Sequence, residues 1–211
     1  MDRRRIMLLQ KIGGGTLPDG YTAVNYLQSS GGQWIEMGVA PSQNTKVVLK
    51  IMITNLHGVY GSSLIGSRSS TNSTDQFFTY MDAYGGSRFL FRVDGQAKAV
   101  AFDAVKIDTF YTVTLSASEM KFELELEDGT VAFSSTFSVS VFASTVTMAL
   151  FKSKPQTYGF WGRIYGCKHY NGDKRIQDLV PCLDSAGVPC MYDLVEKKTF
   201  YNQGTGSFTW G

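Results

Sequence analysis

Three glutamates alternate with leucines in the segment Glu123-Leu124-Glu125-Leu126-Glu127. Successive side chains of a β-strand point to opposite faces, so this spacing places all three carboxylates on one face. Paired carboxylates cleave glycosidic bonds, one acting as nucleophile or base and the other as acid. This segment is therefore where the sequence offers the chemistry of a glycosidase.

The same alternation has a structural explanation, which we favour. Laminarinase-type glycosidases carry an aspartate in the middle of this motif, where this chain has Glu125. A strand with a solvent face of glutamates and a core face of Phe122, Leu124 and Leu126, followed by an Asp128-Gly129 turn, gives the same pattern. We therefore predict that the chain is not an enzyme.

The remaining reactive residues form no known catalytic or metal-binding pattern. His57 and His169 lie near no serine or cysteine in a nucleophile signature, and the spacings of Cys167, Cys182 and Cys190 match no zinc ligand set. We predict no metal and no cofactor. The histidines are interpreted as surface or strand-end residues. The cysteines are interpreted as reduced packing residues, with a Cys182–Cys190 disulfide as the alternative.

Carbohydrate binding requires exposed aromatic rings that stack on sugars and polar groups that bond their hydroxyls. Two groups of residues have this composition: Tyr80, Asp82, Tyr84 and Arg88 around a Gly85-Gly86 turn, and Tyr158 and Trp161 beside Pro155. The alternative for each aromatic residue is a strand-end position with its ring at the edge of the core. Both groups are candidates for sugar contact.

The charge of the chain is concentrated at its beginning. Residues 1–17 contain Arg3, Arg4, Arg5 and Lys11 against Asp2, a net +3, which leaves −1 for the rest of a chain whose total is +2. Binding to nucleic acid requires a basic surface that neutralises phosphates. The near-neutral body therefore argues against a nucleic-acid partner.

Residues 1–17 are predicted to form a separate arm that ends in a flexible Gly13-Gly14-Gly15 joint. Its apolar run is shorter than the ~7–15 residues of a secretory signal, and no run approaches the ~18 residues of a membrane span. We therefore expect a retained arm and no membrane. The arm is either a disordered terminus or an anchor to a larger assembly. The anchor would bury apolar residues that gain no stabilisation while they are exposed to water. The anchor would consist of Arg3, Arg4, Arg5, Ile6, Met7, Leu8 and Leu9.

Residues 18–211 read as a series of short strands separated by glycine, serine and asparagine. The predicted strands are 21–28, 33–37, 46–53, 77–81, 88–93, 111–115, 120–127, 137–142 and 146–151, followed by a hairpin at Asn171-Gly172. In residues 46–53, Val47, Leu49, Ile51 and Ile53 lie on one face, as in a central strand.

Many short strands without helical periodicity predict an all-β fold. A chain of this length favours a two-sheet antiparallel jelly-roll sandwich over residues 18–211. Closure of such a sandwich brings the chain ends onto neighbouring strands. Residues 208–210 are therefore expected beside residues 21–37.

The two ends of this region resemble a known family. Residues 20–38 read GYTAVNYLQSSGGQWIEMG, and the later segments read GRIYGCK at 162–168, DLVPC at 178–182, YDLV at 192–195, FYN at 200–202 and GTG at 204–206. They resemble the opening and the ending of concanavalin A-like (laminin-G-like) domains, which are widespread in bacteriophage structural proteins and gut bacterial surface proteins. The resemblance implies the fold and leaves function open, because this fold carries lectins, glycosidases and assembly modules.

The arm and the resemblance together predict a non-enzymatic bacteriophage virion protein of a head, tail or fibre. Its arm would bind other virion proteins, and its sandwich would be displayed to host-surface glycans. A homo-oligomer is expected, with a trimer as one form. The alternative is a carbohydrate-binding protein or glycosidase that is secreted or held on a bacterial cell surface.

Overall fold

The computed structural model describes residues 16–56, 62–68, 76–82, 88–93, 96–102, 105–154 and 159–211. Every named element among these residues is a β-strand. No helix in this part of the chain is long and apolar enough to cross a membrane. The predicted arm lies almost entirely outside the described residues.

Eighteen strands are defined within these ranges and form two sheets. They are β1 (Thr22–Ala23), β2 (Leu27–Ser30), β3 (Ile35–Glu36), β4 (Thr45–Ile53), β5 (Ile65–Arg68), β6 (Gln76–Asp82), β7 (Arg88–Val93), β8 (Gln96–Phe102), β9 (Phe110–Ser116), β10 (Lys121–Leu126), β11 (Val131–Thr136), β12 (Ala149–Leu150), β13 (Lys152–Lys154), β14 (Trp161–Asn171), β15 (Lys174–Leu183), β16 (Pro189–Asp193), β17 (Lys198–Phe200) and β18 (Thr209–Trp210).

The larger sheet has the order β11-β10-β9-β4-β14-β15-β16-β17, with β1, β2 and β18 added beside this path. Strand β4 lies inside it, paired with β9 and β14. Its residues Val47, Leu49, Ile51 and Ile53 are all fully buried. This confirms the central strand that the alternation of apolar residues predicted.

The smaller sheet has the order β3-β12-β5-β6-β7-β8, and β13 runs parallel to β5. The two sheets share one hydrophobic core. Phe122 of the larger sheet packs against Phe89 and Phe91 of the smaller one, with ring centroids 5.4 and 5.9 Å apart. The molecule is thus the predicted all-β two-sheet antiparallel sandwich.

The chain ends pair as expected from closure of the sandwich. Thr209 and Trp210 are register partners of Gln28 and Leu27. The carbonyl of Gly211 accepts a hydrogen bond from the backbone N–H of Asn25 at 2.5 Å. Both ends of the described chain therefore lie in the same region of the larger sheet.

Four predicted strands are wrong or too long. The range 21–28 is divided into β1 and β2, and the range 33–37 is reduced to β3. Residues 137–142 form no strand, although Phe137 and Phe142 are buried. Within residues 146–151, only the two residues of β12 form a strand. The chain bends at Phe151, whose φ is 67°. The hairpin predicted at Asn171-Gly172 is confirmed by the pairing of β14 with β15.

The prediction for His169 is also wrong. It lies within β14 and is only 1% exposed. Its Nδ1 atom lies 3.2 Å from Oε1 of Gln177, whose side-chain amide donates to the carbonyl of Met37 at 3.0 Å. Burial lowers the pKa of His169, so the ring is a neutral core residue at pH 7. His57 lies outside the described residues.

Candidate functional site

Two turns from opposite ends of the chain meet beside β3. The first is residues 31–34, after β2, and the second is residues 202–206, after β17. Trp34 donates its backbone N–H to Oδ1 of Asn202 at 3.1 Å and accepts at its carbonyl from the N–H of Gln203 at 2.8 Å. The N–H of Thr205 donates to the carbonyl of Gly32 at 3.0 Å. These bonds hold the two turns together.

The buried amide of Gln33 fixes the first turn. Its Oε1 accepts from the backbone N–H of Ser30 at 2.9 Å and from the hydroxyl of Ser29 at 3.0 Å. Its Nε2 donates to the carbonyl of Thr205 at 3.1 Å. Because both ends of a buried amide are bonded, the turn is held in one conformation.

Glycines allow the turns to approach closely. A Cβ atom on Gly204 would lie 2.0 Å from the carbonyl oxygen of Gly32 and 2.7 Å from Cδ1 of Trp34. Gly31 has a φ of 91°, which side chains rarely adopt, and a Cβ there would lie 2.2 Å from Nε1 of Trp161. Gly204 is therefore required by the contact between the two turns, and Gly31 by the contact of the first turn with Trp161.

The two turns and β13 line an open pocket of about 350 Å³. It is lined by Gly31, Gly32, Trp34, Lys152, Gln203, Gly204 and Thr205. The lining combines one large aromatic ring with an amide, a hydroxyl, backbone groups of three glycines and one cation. Its volume falls at the lower end of the ~300–1,000 Å³ typical of small-molecule sites.

Two lysines lie over the ring of Trp34. Nζ of Lys152 is 5.1 Å and Nζ of Lys154 is 5.7 Å from the ring centroid, within range of cation–π attraction. Lys154 also forms an ion pair with Glu36, and burial lowers its pKa. Lys152 is the charged residue among those that line the pocket.

The structure places one of the predicted sugar-contact residues beside the residues that line this pocket. Trp161 starts β14, is the register partner of Ser30 and packs over Gly31, so it supports the first turn from the side. Tyr80 lies half-buried on β6 and does not line the pocket. Asp82 and Arg88 are register partners across β6 and β7. Tyr84 and Tyr158 lie outside the described residues.

Trp34, Lys152, Gln203 and Thr205 were not predicted as site residues. Trp34 is only half-buried and lines the pocket. The signal was present in the GGQW and NQGTG segments, which lie in the regions that resemble the family. Their meeting depends on a contact between residues about 170 positions apart, as the Gln33–Thr205 bond shows.

Glu123 and Glu125 of β10 and Glu127 just after it lie on the face away from the core. Glu127 is exposed, whereas Glu123 and Glu125 are partly buried. Phe122 and Leu124 on the other side of the strand are fully buried. Glu123 forms an ion pair with Lys121 at 2.7 Å, and Glu127 lies 3.9 Å from Lys50. This arrangement fits the solvent face of a sandwich strand, in which glutamates are neutralised by neighbouring lysines.

A second aromatic group on the larger sheet is held by its own contacts. The Tyr165 ring meets Tyr26 and Phe110 at interplanar angles of 61° and 51°. Arg163 lies 4.6 Å above Tyr26 and donates through Nε to Gln28 at 2.8 Å. Tilted rings give no flat platform for a sugar, so this group is a weaker candidate than the pocket. Among the described residues, no three His, Cys, Asp or Glu side chains cluster as metal ligands would.

Comparison with known structures supports the fold. A candidate carbohydrate-binding protein of Bacteroides ovatus ATCC 8483 aligns with a TM-score of 0.60 and 9% identity over 90% of this chain. The chain spans 60% of that protein. A SAP-like pentraxin of Limulus polyphemus gives a TM-score of 0.45 at 11% identity, covering 72% of this chain and 76% of the pentraxin. The carbohydrate-binding module CBM66 of Bacillus subtilis gives 0.34 at 17% identity, covering 66% of this chain and 94% of the module.

No protein-family profile and no curated protein sequence matches the chain. The fold itself is an all-β two-sheet antiparallel sandwich, and it is similar to the fold of the Bacteroides ovatus protein. This confirms the fold that the resemblance implied. At 9% identity, the similarity to the Bacteroides ovatus protein concerns the fold alone.

Proposed function

We propose that this chain is a non-enzymatic carbohydrate-binding protein that holds the end of a glycan in the Trp34 pocket. The observation that carries the proposal is the composition of the pocket, in which an aromatic ring lies beside an amide, a hydroxyl and backbone groups. A sugar presents an apolar ring face and several hydroxyls, and this lining offers a partner for each. The sandwich shared with the Bacteroides ovatus candidate carbohydrate-binding protein supports this class of ligand.

The charge of the lining favours an acidic sugar. Lys152 contributes a positive charge, and no carboxylate stands among the described residues that line the pocket. The carboxylate of Glu36 is already neutralised by its ion pair with Lys154. A carboxylated sugar end would gain a charge-assisted hydrogen bond from Lys152 that a neutral sugar lacks.

A surface or secreted location on a bacterium fits this proposal better than a virion. The virion role rests on the basic apolar arm, and residues 1–15 lie outside the described residues. The structural comparisons include candidate carbohydrate binding and give no link to phage proteins. Attachment through the arm, virion location and a trimeric assembly stay predictions from the sequence.

The proposal is tested by binding the full chain to a glycan array that contains neutral and carboxylated sugars. Wild type is expected to bind at least one class, and Trp34→Ala is expected to weaken that binding about tenfold or more, as removal of a central aromatic anchor does. Trp210→Ala is the control, because Trp210 is 50% exposed on β18 and outside the pocket lining. Equal binding by the two variants, or no binding by wild type, would reject the proposed site.

A further inference from the structure

Two cysteine side chains lie in contact across neighbouring strands of the larger sheet. Cys182 of β15 and Cys190 of β16 are register partners. Their sulfur atoms are 3.5 Å apart, and both residues are fully buried. The spacing of eight residues in the sequence left this pairing open, and the register of the hairpin places the two thiols face to face.

The backbone geometry of the pair suits a disulfide. Pro181 and Pro189 have no N–H, so the pairs that contain them are the non-hydrogen-bonded ones of the ladder. Pairs alternate along an antiparallel ladder, which makes Cys182–Cys190 a hydrogen-bonded pair with Cα atoms ~5.5 Å apart. Disulfides span about 4.4–6.8 Å between Cα atoms, a range that includes this spacing. Because the Cβ atoms of a hydrogen-bonded pair lie farther apart than the ~3.5–4.5 Å of a disulfide, the two strands must also draw slightly closer when the bond forms.

The pair lies beneath the N-terminal end of the described chain. It forms a small cluster with Tyr192, against which Leu17 and Tyr21 pack. The rings of Tyr21 and Tyr192 are 5.3 Å apart, and Ala23 of β1 is the register partner of Cys182. A covalent link between β15 and β16 would therefore brace the surface on which β1 lies.

The two thiols differ in reactivity. Contact with the Cys182 thiol lowers the pKa of Cys190, whereas the same contact and burial raise the pKa of Cys182. The third thiol, Cys167, is buried in the main core, where desolvation raises its pKa. Cys190 is therefore the thiol that ionises first.

We propose that Cys182 and Cys190 form a disulfide when the chain folds in the presence of a small-molecule disulfide such as oxidised glutathione. The Cys190 thiolate attacks one sulfur of the oxidant and releases one glutathione thiolate, giving a mixed disulfide. The Cys182 thiolate then attacks the Cys190 sulfur and releases the second. The cysteines lose two protons and two electrons, and the oxidant is reduced to two thiols. This inference is independent of the proposed glycan binding.

The test refolds the full chain in a glutathione redox buffer, alkylates the free thiols and maps the products by mass spectrometry. We expect one alkylated cysteine, Cys167, and a Cys182–Cys190 peptide that is lighter by two hydrogen atoms. The Tm of the oxidised chain should exceed that of the reduced chain by about 5 °C, because the bond restricts the conformations of the unfolded chain. Three alkylated cysteines, or a disulfide that includes Cys167, would overturn the proposal.

Two matched variants separate a native disulfide from random oxidation. Cys167→Ser should keep the mass loss and the Tm increase, whereas Cys190→Ser should abolish both. When the same redox buffer contains denaturing guanidinium, the ratio of the Cys182–Cys190 disulfide to the reduced thiols should be at least tenfold lower. An equal yield in the denatured chain would mean that the fold does not favour the bond, and would also overturn the proposal.

Discussion

At the residue scale, Lys152 sets the charge of the pocket. The Lys152→Met variant removes that charge and keeps an apolar side chain beside Trp34. We expect affinity for a carboxylated sugar to fall about tenfold or more, because hydrogen bonds to charged groups contribute ~1.5–3 kcal/mol. Affinity for neutral sugars should change little. Isothermal titration at two salt concentrations measures this, since the wild-type affinity for an acidic ligand should fall with salt.

The control for this prediction is Lys106→Met. Lys106 is an exposed lysine that does not line the pocket, so its replacement changes the net charge of the protein by the same amount. An equal loss of affinity in both variants would indicate a general effect of charge. In that case Lys152 would not contact the ligand.

His169 makes stability depend on pH. Burial lowers its pKa below the ~6.5 of an unfolded histidine, so the unfolded chain binds a proton that the folded chain excludes. As the pH falls below about 6.5, the free energy of unfolding should decrease by up to about 1.4 kcal/mol per pH unit. The nearby carboxylates are Asp178, whose pKa is raised by burial and which acts in the opposite direction, and Asp193.

This dependence is measured by urea unfolding of wild type and His169→Gln between about pH 7.5 and pH 5.5. Both proteins keep the two aspartates, so their difference isolates the histidine. The free energy by which wild type is more stable than the variant should decrease toward low pH. It should become zero or change sign if the variant is then the more stable protein. Parallel curves would show that His169 binds protons equally in both states and would contradict the prediction.

At the scale of the element, alternation of apolar residues predicted burial better than it predicted pairing. It gave β7 with its observed ends and β4 with the correct core face. It failed for residues 137–142, where Phe137 and Phe142 enter the core from a segment outside the ladders. That segment instead forms isolated backbone hydrogen bonds, for example from the N–H of Gln43 to the carbonyl of Phe142. A buried face can thus be supplied without a strand.

The candidate site was less predictable than the fold because its residues come from three separate elements. The sequence marked the turns around Gly31 and Gly204 as features of a family fold, without indicating that they touch. Lys152 belongs to a three-residue strand that has no sequence pattern of its own. Closure of the sandwich, which was predicted for residues 208–210, is the physical reason that the two turns meet.

The two faces of β10 should respond differently to substitution. The double variant Glu123→Gln/Glu127→Gln removes one partly buried and one exposed ion pair and should change the free energy of unfolding by about 1 kcal/mol or less. Leu124→Ala removes a fully buried side chain from the same strand and should cost about 2–5 kcal/mol. Urea denaturation of both variants compares the two faces directly.

The same variants test the absence of catalysis. If β10 carried a glycosidase site, the glutamine variant would lose sugar-releasing activity while it remained folded. We expect no sugar release from glycans by wild type or by this variant. Hydrolysis by wild type that the two substitutions abolish would contradict the non-enzymatic proposal.

At the scale of the whole molecule, one core joins the two sheets, and the chain ends are tied into the larger sheet. The aromatic contacts of Phe122 with Phe89 and Phe91 cross between the sheets. The pocket turns lie at the end where β2, β18 and β14 meet. Disruption of the core should therefore unfold the pocket together with the two sheets.

We accordingly expect a single unfolding transition. The three tryptophans, Trp34, Trp161 and Trp210, all lie on elements of the pocket end, so their fluorescence reports that end, whereas far-UV circular dichroism reports all strands. The two signals should give the same midpoint in urea. Phe122→Ala should lower both midpoints together, with a cost of about 3–5 kcal/mol, although Phe122 lies on β10 and outside the pocket lining. A fluorescence midpoint below the dichroism midpoint would instead show that the pocket end unfolds independently of the sandwich.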